Sequence, residues 1–298
     1  MPDMKARRIP FKRKCRYAAE AAAAYLFYGV MCLLPTEMAS AIGGGILGFI
    51  GPRMGETRIA MKNLDLAFPE KTTEEKKKIV HGMWQNLGRV LAEYPHLRRI
   101  AGRIEVVGRE NINAARDNNR AAIFFGAHLA NWEINAICAK ANGLPLHMLY
   151  RKPNNPYVDG LVRHARTIGA SGYIEKGRAG ARAILTAFKN NGVVAMMVDQ
   201  KLTGGMAVPF FGHDALTAPA VAHFALRSGL PVYPSRVERL AGAKFRVTVY
   251  APMKIVKTGD EQADTRRILL EMNRLLEEWI RERPEQWLWI HKRWPESV

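Results

Sequence analysis

At 298 residues, with 48% hydrophobic and 24% charged residues, the chain is long and apolar enough to bury about three-quarters of its unfolded surface, which excludes a predominantly disordered protein. A net charge of +18 selects anionic partners: nucleic acid, anionic lipid or acidic protein. Cys15, Cys32 and Cys138 are too widely spaced for a CxxC site and too few for a disulfide framework, which excludes a cysteine-stapled scaffold and a structural zinc site.

The N-terminus narrows the choice of anionic partner. Lys5, Arg7, Arg8, Lys12, Arg13, Lys14 and Arg16 precede an apolar run from Tyr17 to Leu34, a pattern suited to a membrane surface. Eighteen helical residues reach roughly 27 Å, slightly short of a hydrocarbon core of about 30 Å, and Glu20 lies within the run. Pro35 breaks that helix, and a second apolar stretch, Met38 to Ile50, contains Gly43-Gly44-Gly45 and ends at Gly51-Pro52. A re-entrant hairpin or a pair of surface-lying helices is expected. A cleaved signal peptide competes, because Ala39-Ser40-Ala41 imitates a cleavage site, but the apolar character continues beyond it. A buried helix pair also competes, although it would not need the basic residues in front.

Residues 1–52 are therefore set apart from a catalytic domain at 53–298. Helices are expected over Glu56–Leu66 and from Thr72 to about Tyr94, with Thr72 or Thr73 as the cap. Strands at Ile104–Val107, Ala121–Phe125, Leu146–Tyr150 and Val193–Val198 alternate with helical segments near 131–142, 156–168 and 177–190. Such alternation predicts an α/β fold with a mostly parallel central sheet flanked by helices. After a helix near 217–228 come β-rich runs at Val232–Val237 and Phe245–Tyr250, then a final helix over Asp264–Glu282.

The chemistry concentrates after the second strand, in Phe124-Phe125-Gly126-Ala127-His128-Leu129-Ala130-Asn131-Trp132-Glu133. On a continuous helix His128 and Glu133 would point about 140° apart, so they converge only if His128 lies on the turn and Asn131 caps a helix carrying Glu133. A carboxylate on one imidazole nitrogen would make the other a general base for a hydroxyl nucleophile. Spacing alone favours a strand-end histidine satisfied by backbone groups over such a pair. No helix-turn-helix, zinc-finger or RNP1-like pattern accompanies the dispersed basic residues, so nucleic acid is not an expected partner. Neither His-Glu-x-x-His nor a histidine cluster occurs, and no metal or cofactor is expected.

Several segments, in order, resemble the late acyltransferases of lipid A biosynthesis, within the lysophospholipid acyltransferase-like superfamily. They are the basic apolar N-terminus, Asn63-Leu64-Asp65-Leu66-Ala67-Phe68-Pro69, the His-x-x-x-x-Glu signature at His128 and Glu133, and Tyr150-Arg151-Lys152-Pro153-Asn154-Asn155-Pro156. Asp199-Gln200, Val208-Pro209-Phe210-Phe211-Gly212, Ala215-x-Thr217 and Pro284-Glu285-Gln286-Trp287-Leu288-Trp289-x-His291-x-Arg293 continue the match. Lys152 is inserted relative to the family pattern, and Lys201 follows Asp199-Gln200 where many members carry an aspartate. The resemblance implies a glycerol-3-phosphate acyltransferase-like fold and acyl transfer from an acyl-carrier-protein thioester to a hydroxyl of a lipid A precursor, on the cytoplasmic side of the inner membrane. It casts His128 as base and Glu133 as its orienting group, and Arg166, Arg163, Arg151, Asp199 and Gly212 as substrate-binding residues. Acceptance by another glycolipid, a lysophospholipid or an ornithine lipid is the rival reading, and a membrane-anchored binding module is the non-enzymatic one. Phe210, Phe211, Trp287 and Trp289 stay open between packing and lipid contact.

Overall fold

The computed structural model describes residues 10–118, 120–150, 152–166, 169–175 and 177–295. Lys5, Arg7, Arg8 and Arg151 lie outside them. The chain opens with helices α1 (Phe11–Leu33) and α2 (Thr36–Ile50), separated by the expected break at Pro35. Helices α3 (Thr57–Ala67), α4 (Thr73–Glu93) and α5 (Leu97–Ala101) follow. Thr72 and Glu75 close a reciprocal capping box at the start of α4, satisfying two backbone donors that a helix N-terminus leaves orphaned.

Strand β1 (Ile104–Val107), helix α6 (Arg109–Asp117), β2 (Ala122–Gly126), α7 (Ile134–Ala141), β3 (Leu146–Tyr150), α8 (Pro156–Arg166), β4 (Gly172–Glu175), α9 (Arg178–Lys189) and β5 (Val193–Met197) carry the expected alternation. An antiparallel hairpin of β6 (Met206–Phe210) and β7 (His213–Thr217) then stands apart from the main sheet. Helix α10 (Ala220–Ser228), strands β8 (Val232–Ala241) and β9 (Lys244–Val249), and helix α11 (Glu261–Glu282) complete the order. Among the described residues the main sheet runs β1-β9-β8-β2-β5-β3-β4, parallel throughout except where β8 meets β9.

Central β2 and β5 are continuous apolar runs because helices cover both their faces. Successive residues of β2 divide between the two cores: Phe125 stacks on Trp279 of α11, and Phe124 packs against Tyr233 in the core that holds Ile112 of α6 and Ile137 of α7. Sequence patterning did not reveal α5, α6, β4 or the β6–β7 hairpin. All are short, and β4 is a four-residue edge strand with only Ile174 buried, so its apolar signal is weak.

The glycine run works in packing. A Cβ on Gly43 would fall 2.5 Å from the Gly88 carbonyl oxygen, and one on Gly88 would fall 2.1 Å from the Gly43 oxygen. Only glycine permits α2 and α4 to approach this closely. The outer faces of α1 and α2 remain apolar and open, with Leu26 71%, Leu33 86% and Phe49 68% exposed. Among the described residues no helix is long and apolar enough to cross a membrane.

Candidate active site

Parallel pairing of β2 with β5 builds the site. Gly126 is in register with Met197, so the chain positions two residues further on, His128 and Asp199, leave the sheet side by side at its carboxyl edge. Beyond Gly126 the loop is held from below. Ala130 adopts a left-handed conformation (φ 49°), its N–H donates to the Gln286 carbonyl at 2.9 Å, and its own carbonyl accepts from Asn86 Nδ2 at 3.0 Å. Asn131 Nδ2 donates to Glu93 Oε2 at 2.9 Å, and Glu93, fully buried, is paired with Arg239. Asn131 Oδ1 accepts the Glu133 N–H at 3.2 Å, which makes a local turn and not the expected helix cap: α7 begins at Ile134, Glu133 itself holds the cap position, and it makes no side-chain cap.

His128 Nδ1 lies 2.8 Å from Asp199 Oδ1. The second oxygen, Oδ2, accepts from the His128 backbone N–H at 2.9 Å and the Trp287 indole N–H at 2.8 Å. Burial would raise the Asp199 pKa, but the His128 charge and these hydrogen bonds outweigh it and hold the carboxyl well below its ordinary range. An ionised carboxylate only accepts, so Nδ1 carries its proton on the Asp199 side, and in the neutral imidazole the free lone pair is on Nε2. Trp132 packs edge-on against the imidazole at 5.2 Å and restricts its rotation.

The hydrogen bond expected between His128 and Glu133 is replaced by this one. Glu133, at the cap position of α7, directs its side chain to another partner set: Oε1 accepts from Tyr94 Oη at 2.9 Å and from Arg166 Nε and Nη2 at 2.9 and 2.7 Å. Burial would loosen the Arg166 proton, but the Glu133 carboxylate outweighs it and keeps the guanidinium firmly charged. Burial first, and then the Glu133 charge, hold the Tyr94 phenol well above its ordinary value, so it remains a neutral donor. His128, Glu133, Arg166, Trp132, Gln200 and His291 line one cavity of about 280 Å³. Across Tyr94 lies an apolar groove of about 250 Å³, lined by Phe27, Tyr28, Leu91, Val158 and Leu161 of α1, α4 and α8.

The family model described as bacterial lipid A biosynthesis acyltransferase matches residues 8–296. The chain belongs to that family. It is 29% identical over 278 residues to the lipid A biosynthesis palmitoleoyltransferase of Escherichia coli K12, covering 89% of this chain and 85% of that protein. The lauroyltransferase of the same strain is 28% identical over 293 residues, covering 92% of each chain, and its myristoyltransferase 28% over 266 residues, covering 83% of this chain and 78% of the relative.

For an acyltransferase of this family, the structure brings together part of the residue set expected from sequence. His128, Glu133 and Arg166 share the cavity. Asp199 is 1% exposed, with both oxygens engaged, so it acts on His128 and is not open to substrate. Arg163 is exposed, 3.8 Å from Asp159 and away from the cavity lining. Gly212, at φ +77°, closes the β6–β7 turn after Phe211 at φ 50° and is not among the residues that line the cavity. Phe210 and Phe211 are core residues, as is Trp289, whereas Trp287 combines packing with its hydrogen bond to Asp199. Tyr94 had no motif to mark it. Gln200 and His291 stood inside matched segments, but only the fold gives them a common cavity.

Proposed function

We propose that this acyltransferase moves a fatty acyl group from an acyl-carrier-protein thioester to a hydroxyl of a lipid A precursor, working at the cytoplasmic face of the inner membrane. The observation that carries the mechanism is the Asp199–His128 pair at 2.8 Å with Nε2 turned to the cavity. The acceptor hydroxyl gives its proton to His128 Nε2 as its oxygen attacks the thioester carbonyl carbon. The tetrahedral intermediate then collapses, the C–S bond breaks, and the proton passes from His128 to the departing sulfur. Asp199 stabilises the imidazolium between these steps. No covalent acyl-enzyme is required. Arg166, locked in orientation by Glu133, places a fixed positive charge on the cavity wall, suited to a phosphate or carbonyl of the lipid.

Lipid substrates are supported by the apolar groove across Tyr94 and by the names of the relatives, which refer to lauroyl, myristoyl and palmitoleoyl transfer in lipid A biosynthesis. Membrane working is supported by the apolar faces of α1 and α2 beside the exposed Lys12, Arg13, Lys14 and Arg16. The test is thioester consumption by purified enzyme given lauroyl-, myristoyl- or palmitoleoyl-carrier protein and a lipid A precursor with a free 3-hydroxyl. His128→Ala should lower turnover by about 10²–10⁴-fold while the protein stays folded and vesicle-bound. Near-normal turnover by His128→Ala would discard the mechanism.

A further inference from the structure

Acyl transfer places negative charge on the former carbonyl oxygen of the thioester, and the donor that meets it must be found near His128 Nε2. Four backbone amides of the active-site loop are already committed. The His128 N–H donates to Asp199 at 2.9 Å, the Leu129 N–H to the Ala127 carbonyl at 2.8 Å, the Ala130 N–H to the Gln286 carbonyl at 2.9 Å, and the Glu133 N–H to Asn131 Oδ1 at 3.2 Å. Arg166 Nε and Nη2 are committed to Glu133.

Gln200 follows Asp199 directly, so the strand end that sets the carboxylate behind the imidazole also sets an amide in front of it. Gln200 Nε2 lies 2.9 Å from His291 Nε2 and 3.5 Å from His128 Nε2. A side-chain amide nitrogen carries two protons. One is directed to His291 Nε2, which accepts it. The other faces His128 Nε2 across a gap too long for a strong hydrogen bond. The attacking hydroxyl must occupy the space next to that nitrogen, and the carbonyl oxygen of the thioester lies two bonds beyond the attacking oxygen in the intermediate.

We propose that Gln200 Nε2–H is the oxyanion donor of the reaction and that His291 is the positioning residue that fixes its amide. As the new C–O bond forms, the hydroxyl proton goes to His128 Nε2 and the carbonyl π pair moves to oxygen, where Gln200 donates to it. When the pair returns, the C–S bond breaks and His128 protonates the sulfur. A neutral amide binds the weakly basic thioester carbonyl less well than the oxyanion, so its contribution falls on the transition state and on kcat. This role rests on the acyl-transfer reading above.

The experiment compares wild type, His128→Ala, Gln200→Met, Gln200→Glu, Gln200→His and His291→Ala with the carrier thioesters and lipid A precursor already named, after circular dichroism has shown each to be folded. Gln200→Met removes the donor at similar length and should lower kcat by about 10²–10³-fold with KM for both substrates within about threefold. Gln200→Glu, nearly isosteric, serves as the second variant should Gln200→Met not fold, and should lose as much. Gln200→His, whose imidazole N–H can donate across the same gap, should restore at least about a tenth of wild-type kcat, a rescue that a space-filling role would not produce. His291→Ala should cost kcat less than Gln200→Met. A folded Gln200→Met or Gln200→Glu variant with kcat within about threefold of wild type, or with its loss confined to KM, overturns the assignment. Absent wild-type turnover, or an active His128→Ala, would instead overturn the acyl-transfer mechanism itself.

Discussion

Asp199→Asn keeps the shape of the side chain and removes one acceptor and the charge. Three donors converge on the aspartate: His128 Nδ1 on Oδ1, and the His128 N–H and Trp287 Nε1 on Oδ2. If the asparagine oxygen keeps the two donors on the Oδ2 side, its amide nitrogen faces Nδ1. The imidazole must then accept at Nδ1 and carry its proton on Nε2, the tautomer that cannot take a proton from a hydroxyl. Turnover should fall by about 10²–10⁴-fold. Removing hydrogen bonds to a charged acceptor should also cost about 1.5–3 kcal/mol of stability. The pH sign follows from the depressed carboxyl: its folded pKa lies below the unfolded value near 4, so its stabilisation is complete above that value and is lost as pH falls toward the folded one. The stability gap between wild type and Asp199→Asn should therefore narrow as pH falls below about 4. Thioester turnover and thermal melts across pH measure both effects. Glu133→Gln is the control: it leaves the His128–Asp199 bond in place, weakens the buried pair with Arg166, and should lower turnover less than Asp199→Asn. An inactive Glu133→Gln beside an Asp199→Asn enzyme with more than a tenth of wild-type activity would return the orienting role to Glu133.

Trp287→Phe removes one of the three donors to Asp199 and should lower kcat by about tenfold, with a lower melting temperature, as a hydrogen bond to a charged group is worth about 1.5–3 kcal/mol. Gly88→Ala would set a Cβ 2.1 Å from the Gly43 oxygen, so α2 must move away from α4; a loss of about 1–3 kcal/mol by chemical denaturation is expected.

The fold was legible where patterning is strong. Apolar runs such as those of β2 and β5, and the Thr72 cap of α4, are local signals, and they sit within a residue or so of their expected places. The site was legible only up to the limit of local sequence. His128 and Glu133 are visible as a motif, but the partner of His128 lies 71 residues away and reaches it through the Gly126–Met197 register, which no spacing announces. The same register makes Gln200 a cavity residue. Gly212 carries the opposite ambiguity: turns that require positive φ select glycine as strongly as a ligand does, and the structure places it in such a turn. The glycine run of α2 is ambiguous for a related reason: close helix packing and a bend in an apolar helix both select glycine, and Gly88 on the facing helix is what separates the two cases.

Topology is the last expectation to be tested. Seven basic residues before Tyr17 favour a cytoplasmic N-terminus, and a single crossing by α1 would then carry His128 to the periplasm, away from the cytoplasmic thioester donor proposed above. The contacts of α1 argue against that crossing. Near its start, Asn155 Nδ2 donates to the Tyr17 carbonyl at 2.8 Å and to Glu20 Oε2 at 3.1 Å; near its end, His96 Nε2 donates to the Met31 carbonyl at 2.9 Å. Asn155 and His96 both belong to the body that holds His128, so α1 lies along that body for most of its length. A membrane-spanning α1 would have to draw those polar contacts into hydrocarbon or break them, at several kcal/mol for each unsatisfied group. A helix lying at the interface keeps them and still offers Leu26 and Leu33 to lipid. The N-terminus and the catalytic residues should therefore occupy the same, cytoplasmic side. Single cysteines at positions 2 and 298, in a variant lacking the native cysteines, should both resist an impermeant thiol reagent in intact spheroplasts and react after lysis. Labelling of position 298 alone in intact spheroplasts, in an active enzyme, would establish a crossing and refute both the interfacial placement of α1 and the cytoplasmic donor.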